Sequence, residues 1–126
     1  MTEVLSPVSC KVNNVFIHVT DLKRAAEWYS KLLGLPAPKQ VESPVYNLPV
    51  TGDTGLTLDN HAFDPAFVFS PSKHPVFNFL VTDVDETYRF MKDNNITIVR
   101  EIERIGEVAF FNFEDEDGNV LMICNC

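Results

Sequence analysis

The sequence predicts an α+β fold built from two similar modules. Two segments that begin at Asn14 and Val76, 62 residues apart, share one pattern: an apolar strand, the tripeptide Val-Thr-Asp and an amphipathic helix. Each is followed by short strand-like segments joined by turns, which favour antiparallel pairing. A unit repeated in a chain of 126 residues indicates one domain made of two copies.

The first module has a strand and a helix with clear boundaries. Residues 13–19 are predicted to form a largely apolar strand, and Asp21 can cap the helix that follows. Gly34 and Pro36 end that helix, because glycine suits a left-handed terminus and proline prevents continuation. Two or three short strands should follow, at 45–50 and 54–59 with 66–69 as the third option.

The second module begins with a strand at 76–81, and Asp83 with Glu86 forms a capping box for its helix. Asp117-Gly118 predicts a hairpin turn between the last two strands. The three strands after the helix are expected near 97–103, 107–113 and 119–124. We therefore expect one domain over residues 1–126, with module one at about 10–60, a linker at about 61–74 and module two at about 75–126.

The two modules should form one curved surface. Two such sheets joined along an edge would make a curved mixed sheet, a partly open barrel, with the helices on its convex face. The concave face is where a ligand is expected.

Composition and charge exclude several classes of function. The net charge of −8 argues against nucleic-acid binding, which requires clustered Lys and Arg. No apolar run approaches the roughly 20 residues that span a bilayer, so we expect no membrane partner. Three cysteines are too few for a disulfide scaffold, and Cys124 is expected to be a small buried residue. We expect a cytoplasmic location, since no secretion signal is evident either.

Three segments in order carry a resemblance to a known family. Residues 19–35 provide a strand–helix motif, 81–85 the start of the second module and 113–121 a closing hairpin. Together they resemble the vicinal-oxygen-chelate superfamily, which includes glyoxalase I, bleomycin-resistance proteins and extradiol dioxygenases. The resemblance spans about 13–124. It implies two βαβββ modules, usually in a homodimer.

In the metal-dependent members of that superfamily, four inward positions hold His, Glu or Gln around one divalent ion. The motifs place Asn14, Thr57, Val76 and Met122 at these four positions, which we call the family positions. Val offers no lone pair, and Met offers only a soft, neutral sulfur. The sequence therefore predicts a member that lacks the usual metal ligands and needs no metal cofactor.

The predicted function is the binding of a small, partly apolar molecule in the concave cleft without a metal. The expected ligand-binding residues are Asn14, Phe16, His18, Thr57, Asn78 and Met122. His18 shares a strand face with Asn14, so it is a candidate general base or hydrogen-bond donor. The other interpretation of His18 is a histidine paired with a core neighbour or water.

The alternative is a lyase, isomerase or dioxygenase of the same superfamily that uses a divalent metal such as Zn, Ni, Mn or Fe. A two-residue shift in register would make His18, Asp59 and His74 a two-His-one-carboxylate site. The competing interpretation is that these histidines are ordinary surface residues. The sequence leaves open whether the protein is an enzyme. If it is one, we expect a glyoxalase-like lyase or an extradiol-type dioxygenase.

Overall fold

A computed structural model describes residues 5–126, so the first four residues of the predicted 1–126 domain lie outside the described part. Within it, two helices and seven strands form a three-stranded and a four-stranded sheet. This agrees with the α+β class that the sequence predicts. The chain divides into a unit that ends at Phe67 and a unit that begins at Val68. Neither helix is both long and apolar enough to cross a membrane.

The first unit contains a sheet in the order β1-β3-β2 and one helix. Its elements are β1 (Asn14–His18), α1 (Leu22–Leu32), β2 (Val45–Leu48) and β3 (Gly55–Asp59). β1 runs parallel to β3, and β2 runs antiparallel to it. β3 is the central strand, and β1 and β2 pair with its two edges.

The optional strand at 66–69 does not form. The backbone N–H of Asp64 donates to the carbonyl of His61, and that of Phe67 donates to the carbonyl of Asp64. These bonds fold residues 61–67 into two successive turns. Backbone groups used in local turns are not available to a sheet, so the first unit has two strands after its helix.

The second unit contains a sheet in the order β4-β7-β6-β5 and one helix. Its elements are β4 (Asn78–Leu80), α2 (Val84–Asp93), β5 (Ile98–Ile105), β6 (Val108–Glu114) and β7 (Val120–Cys124). β4 is parallel to β7, whereas β7, β6 and β5 pair antiparallel. The parallel pairing of the first strand with the last is the same in both units.

Both helices begin at the residues that the sequence indicates. Asp21 accepts a hydrogen bond from the backbone N–H of Arg24 at 3.1 Å, and Asp83 accepts one from that of Glu86 at 3.0 Å. Each bond satisfies a donor that the first helical turn leaves unpaired. On α1, Leu22, Ala25, Ala26 and Tyr29 are buried.

Each helix covers one face of its sheet and leaves the other face to polar and half-exposed residues. In the first unit Ile17 and Leu58 are buried with Tyr29 of α1. In the second, the ring of Phe111 meets that of Tyr88 on α2 edge to face, with centroids 5.5 Å apart. Since side chains alternate along a strand, the residues next to these core positions point away from the helices.

The hairpin between β6 and β7 turns at the predicted Asp117-Gly118. One carboxylate oxygen of Asp115 accepts the backbone N–H groups of Asp117 and Asn119, both at 2.9 Å. Gly118 has φ of 86°, which suits glycine. Beyond the turn Cys124 is buried, as expected, but it forms a disulfide with Cys126 that the sequence analysis did not predict.

The cap of α1 provides a test of this local structure. Replacing Asp21 with Ala removes the acceptor for the Arg24 N–H and should lower the free energy of unfolding by about 1 kcal/mol. Urea denaturation would measure the change. Asp21→Asn is the matched control, because asparagine caps helices as well as aspartate does. Equal stability of the two variants would show that the cap contributes nothing.

Candidate functional site

The face of the first sheet that α1 does not cover brings the first-module candidates together. Strand register places Phe16 beside Thr57, and Thr57 beside Asn47. Two residues further along β1 and β3, His18 lies beside Asp59. The predicted residues of this module, Asn14, Phe16, His18 and Thr57, therefore share one face.

Three neutral polar residues on this face form an amide–hydroxyl chain. The side-chain amide of Asn14 donates to Thr57 Oγ1 at 2.7 Å, and Thr57 Oγ1 donates to Asn47 Oδ1 at 2.6 Å. Thr57 is only 2% exposed. Gly55 has no side chain, and a Cβ there would collide with Asn14 Oδ1. The amide–hydroxyl chain is thus a closely packed network of neutral groups. It lacks the charged oxygens that a hard cation prefers.

A second cluster lies at the ends of β1 and β3. His61 Nε2 is 2.6 Å from His18 Nδ1 and 3.7 Å from Asp59 Oδ2. We call His18, Asp59 and His61 the imidazole–carboxylate cluster; one donor atom from each lies within 4.8 Å of the other two. The two ring nitrogens are within hydrogen-bond distance, and the tautomer of each imidazole decides which of them donates.

A turn after β3 positions His61. Its backbone N–H donates to Asp59 Oδ1 at 2.8 Å, and its φ is 57°. An aspartate side chain that accepts a hydrogen bond from the backbone N–H two residues later forms an Asx-turn. This turn places the His61 imidazole next to the Asp59 carboxylate. Sequence reasoning grouped His18 and Asp59 with His74, which is an exposed residue of the second unit. The missed signal for His61 was its position two residues after Asp59.

Aromatic side chains border this cluster. The ring of Phe67 stacks on His61 with centroids 3.6 Å apart and an interplanar angle of 12°. The same ring lies 6.0 Å from the ring of His18. Phe16 is half exposed on the same strand as His18. The first unit thus offers imidazole, amide and aromatic surfaces close to one another.

In the second unit, the face opposite the buried Phe111 carries a row of three aligned residues. Asn78 pairs in register with Met122, and Met122 with Asn112. Asn112 is 8% exposed, and among the described residues its Oδ1 has no hydrogen-bond partner. Sequence reasoning named Asn78 and Met122 and missed Asn112. A polar residue between Phe111 and Phe113 was the available signal.

The family positions carry uncharged side chains in each unit. Asn14 and Thr57 belong to the amide–hydroxyl chain of the first. In the second, Met122 is half-buried on β7, and Val76 is exposed just before β4. The predicted absence of a metal at these positions stays a prediction, and their donor chemistry is consistent with it.

Two helix-backed sheets, each with its first strand parallel to its last, define a protein of the repeated-module α+β class. The chain belongs to the Glyoxalase/Bleomycin resistance protein/Dioxygenase superfamily, whose sequence model matches residues 11–123. This confirms the resemblance drawn from the three sequence motifs. A search of proteins with curated functions finds no significant match.

Solved structures of similar fold match nearly the whole chain. Oxidase ChaP-H1 is 23% identical with a TM-score of 0.69, over 94% of this chain and 97% of that one. Lactoylglutathione lyase from Agrobacterium tumefaciens is 18% identical with a TM-score of 0.68, over 94% and 95%. A glyoxalase/dioxygenase from Nostoc punctiforme is 21% identical with a TM-score of 0.67, over 98% and 97%. At these identities the similarity shows a shared fold.

The amide–hydroxyl chain makes a stability prediction. Thr57→Val keeps the shape but leaves the Asn14 amide and Asn47 Oδ1 without their shared partner. This should lower the free energy of unfolding by about 1–3 kcal/mol, as measured by urea denaturation. Thr57→Ser retains the hydroxyl and is the matched control. If the valine variant were as stable as the serine variant, the hydrogen bonds would contribute no net stability.

Proposed function

We propose that the protein binds a small, partly apolar organic molecule without a metal at the family positions, on the sheet face opposite the helix in either unit. The observation that carries this proposal is the bonding of Thr57. Its buried hydroxyl already accepts from Asn14 and donates to Asn47. A group engaged in this way is a poor metal ligand, whereas the surrounding amides suit a neutral organic molecule.

The chemistry of the two faces suggests the class of ligand. In the second unit, Asn112 presents a buried oxygen without a hydrogen-bond partner among the described residues. A buried acceptor gains free energy when a donor reaches it. In the first unit, Phe16 offers a half-exposed ring beside His18. Taken separately, the face of the first unit suits an apolar or aromatic group, and the face of the second unit suits a hydroxyl or amine donor.

Binding alone is a sufficient role for such a site. Sequestering a compound requires a shaped apolar surface with a few polar groups and no reacting side chain. The superfamily name includes a bleomycin resistance protein. Resistance by binding a compound is an analogous role. His18 stays a candidate general base should the bound molecule react.

The second candidate function is a metal-dependent lyase, isomerase or dioxygenase. The convergence of His18 and Asp59 favours it, because both belong to the metal set considered from the sequence. Two structurally similar proteins are named an oxidase and a lactoylglutathione lyase. A divalent ion such as Zn, Ni, Mn or Fe would polarise substrate oxygens in such an enzyme.

We also infer a homodimer in the cytoplasm. β1 and β4 are edge strands of their respective sheets. Leu80 on β4 is 72% exposed, and Phe16 on β1 is half exposed. Proteins usually cover or pair edge strands of this kind, which supports association with a second copy of the chain. The cytoplasmic location is proposed from the small number of cysteines, since the Cys124–Cys126 disulfide joins residues only two apart and is not a disulfide scaffold.

A thermal-shift screen tests ligand binding. Chelator-treated protein would be heated with a panel of phenols, aromatic amines and hydroxylated heteroaromatic compounds. A ligand at 100 times its Kd should add about 2.7 kcal/mol to the stability of the native state. Phe16→Ser should reduce the rise in melting temperature that the ligand causes. Phe90→Ser is the matched control, because Phe90 is an exposed phenylalanine on α2.

Two results would contradict the proposal. One is the absence of stabilisation by every compound in the panel. The other is stabilisation that requires added divalent metal, which would favour the metal-dependent enzyme.

Sedimentation equilibrium tests the dimer. The expected mass is about twice 14.3 kDa, and Leu80→Asp should shift it toward the monomer because a charge at an apolar edge opposes pairing. Val99→Asp on β5, the opposite edge strand of the same sheet, is the control. A monomer at all concentrations, or equal dissociation of both variants, would contradict assembly through β4.

A further inference from the structure

We propose that His18, Asp59 and His61 form a binding site for one divalent transition-metal ion, such as Zn²⁺, Co²⁺ or Ni²⁺. The site lies at the ends of β1 and β3 and uses none of the four family positions. It does not depend on the proposed ligand binding, and it replaces the His74 of the sequence-based alternative with His61.

The local structure brings the three donors together for separate reasons. His18 and Asp59 are partners in the parallel register of β1 and β3 and are the last residues of their strands. His61 joins them through the turn that its N–H forms with Asp59 Oδ1. Two imidazoles and one carboxylate form a donor set suited to late first-row divalent ions.

The burial of Asp59 points to a cation. Asp59 is 7% exposed, yet among the described residues its only ion-pair partner is His61, at 3.7 Å. A buried carboxylate is costly unless a charge or several hydrogen bonds compensate it. Its Oδ1 accepts one backbone N–H, and its Oδ2 faces the imidazole of His61. A metal ion beside Oδ2 would supply the missing positive charge.

The spacing of the imidazoles requires a small adjustment for metal binding. The nitrogens His18 Nδ1 and His61 Nε2 are 2.6 Å apart. Two nitrogens bound to one ion at about 2.1 Å would be about 3.0–3.4 Å apart, so the rings must separate by about 0.4–0.8 Å. His18 is an exposed residue at the end of its strand.

The surroundings resemble the outer shell that orients metal ligands. The backbone N–H of His61 donates to the Asp59 carboxylate and so orients it. The stacked ring of Phe67 orients the plane of the His61 imidazole. Ligating groups in proteins are usually oriented by such contacts. Three protein donors leave at least one coordination position for water or an organic ligand.

Metal titration tests the site directly. Untagged, chelator-treated protein would be titrated with CoCl₂ and ZnCl₂, with calorimetry for stoichiometry and visible absorption for the Co²⁺ ligand field. We expect one ion per chain. His18→Ala should weaken the affinity by more than about 100-fold, since loss of even an outer-shell partner costs 10–100-fold. His61→Ala and Asp59→Asn should have the same effect.

His74→Ala is the matched control and should leave the affinity unchanged, because His74 is an exposed histidine outside the cluster. His18 is an exposed residue, so its variant keeps the test valid even if Asp59→Asn fails to fold. Equal losses in His74→Ala and His18→Ala, or binding of several weak ions per chain, would overturn the proposal.

Discussion

The parallel pairing of β1 with β3 is the constraint on which the first-unit site depends. This register sets Asn14, Phe16 and His18 beside Gly55, Thr57 and Asp59, and it sends Ile17 and Leu58 toward α1. A shift by one residue would exchange the two faces. Polar groups would then enter the core, and apolar ones would lie on the face opposite α1. The burial of the apolar set against α1 therefore fixes where each candidate functional group lies.

The sequence predicted the repeated architecture because its signals are local. Asp21 and Asp83 cap helices through bonds that span three residues, and Gly118 marks its own turn. Alternation along β1 was enough to place Asn14, Phe16 and His18 on one face. These features depend on residues that are neighbours in the chain, so a single sequence is enough to recognise them.

The partners of the site residues were harder to predict because they depend on contacts between distant residues. Asn47 joins Thr57 only when β2 aligns with β3, and Asn112 joins Met122 only when β6 aligns with β7. His61 was missed because a left-handed turn, which histidine adopts less readily than glycine, returns its ring toward Asp59. The strand considered at 66–69 was wrong; the Phe67 N–H of that segment bonds to the Asp64 carbonyl in a turn.

The two oxygens of Asp59 contact different parts of the molecule. One accepts the N–H that closes the turn at His61, and the other faces the His61 imidazole. Charge density drawn toward one oxygen of a carboxylate weakens the other as an acceptor. A cation bound at the ring side would therefore weaken the hydrogen bond that closes the turn at residue 61. The turn that Asp59 closes at His61 is continuous with the two turns whose bonds link residues 61, 64 and 67.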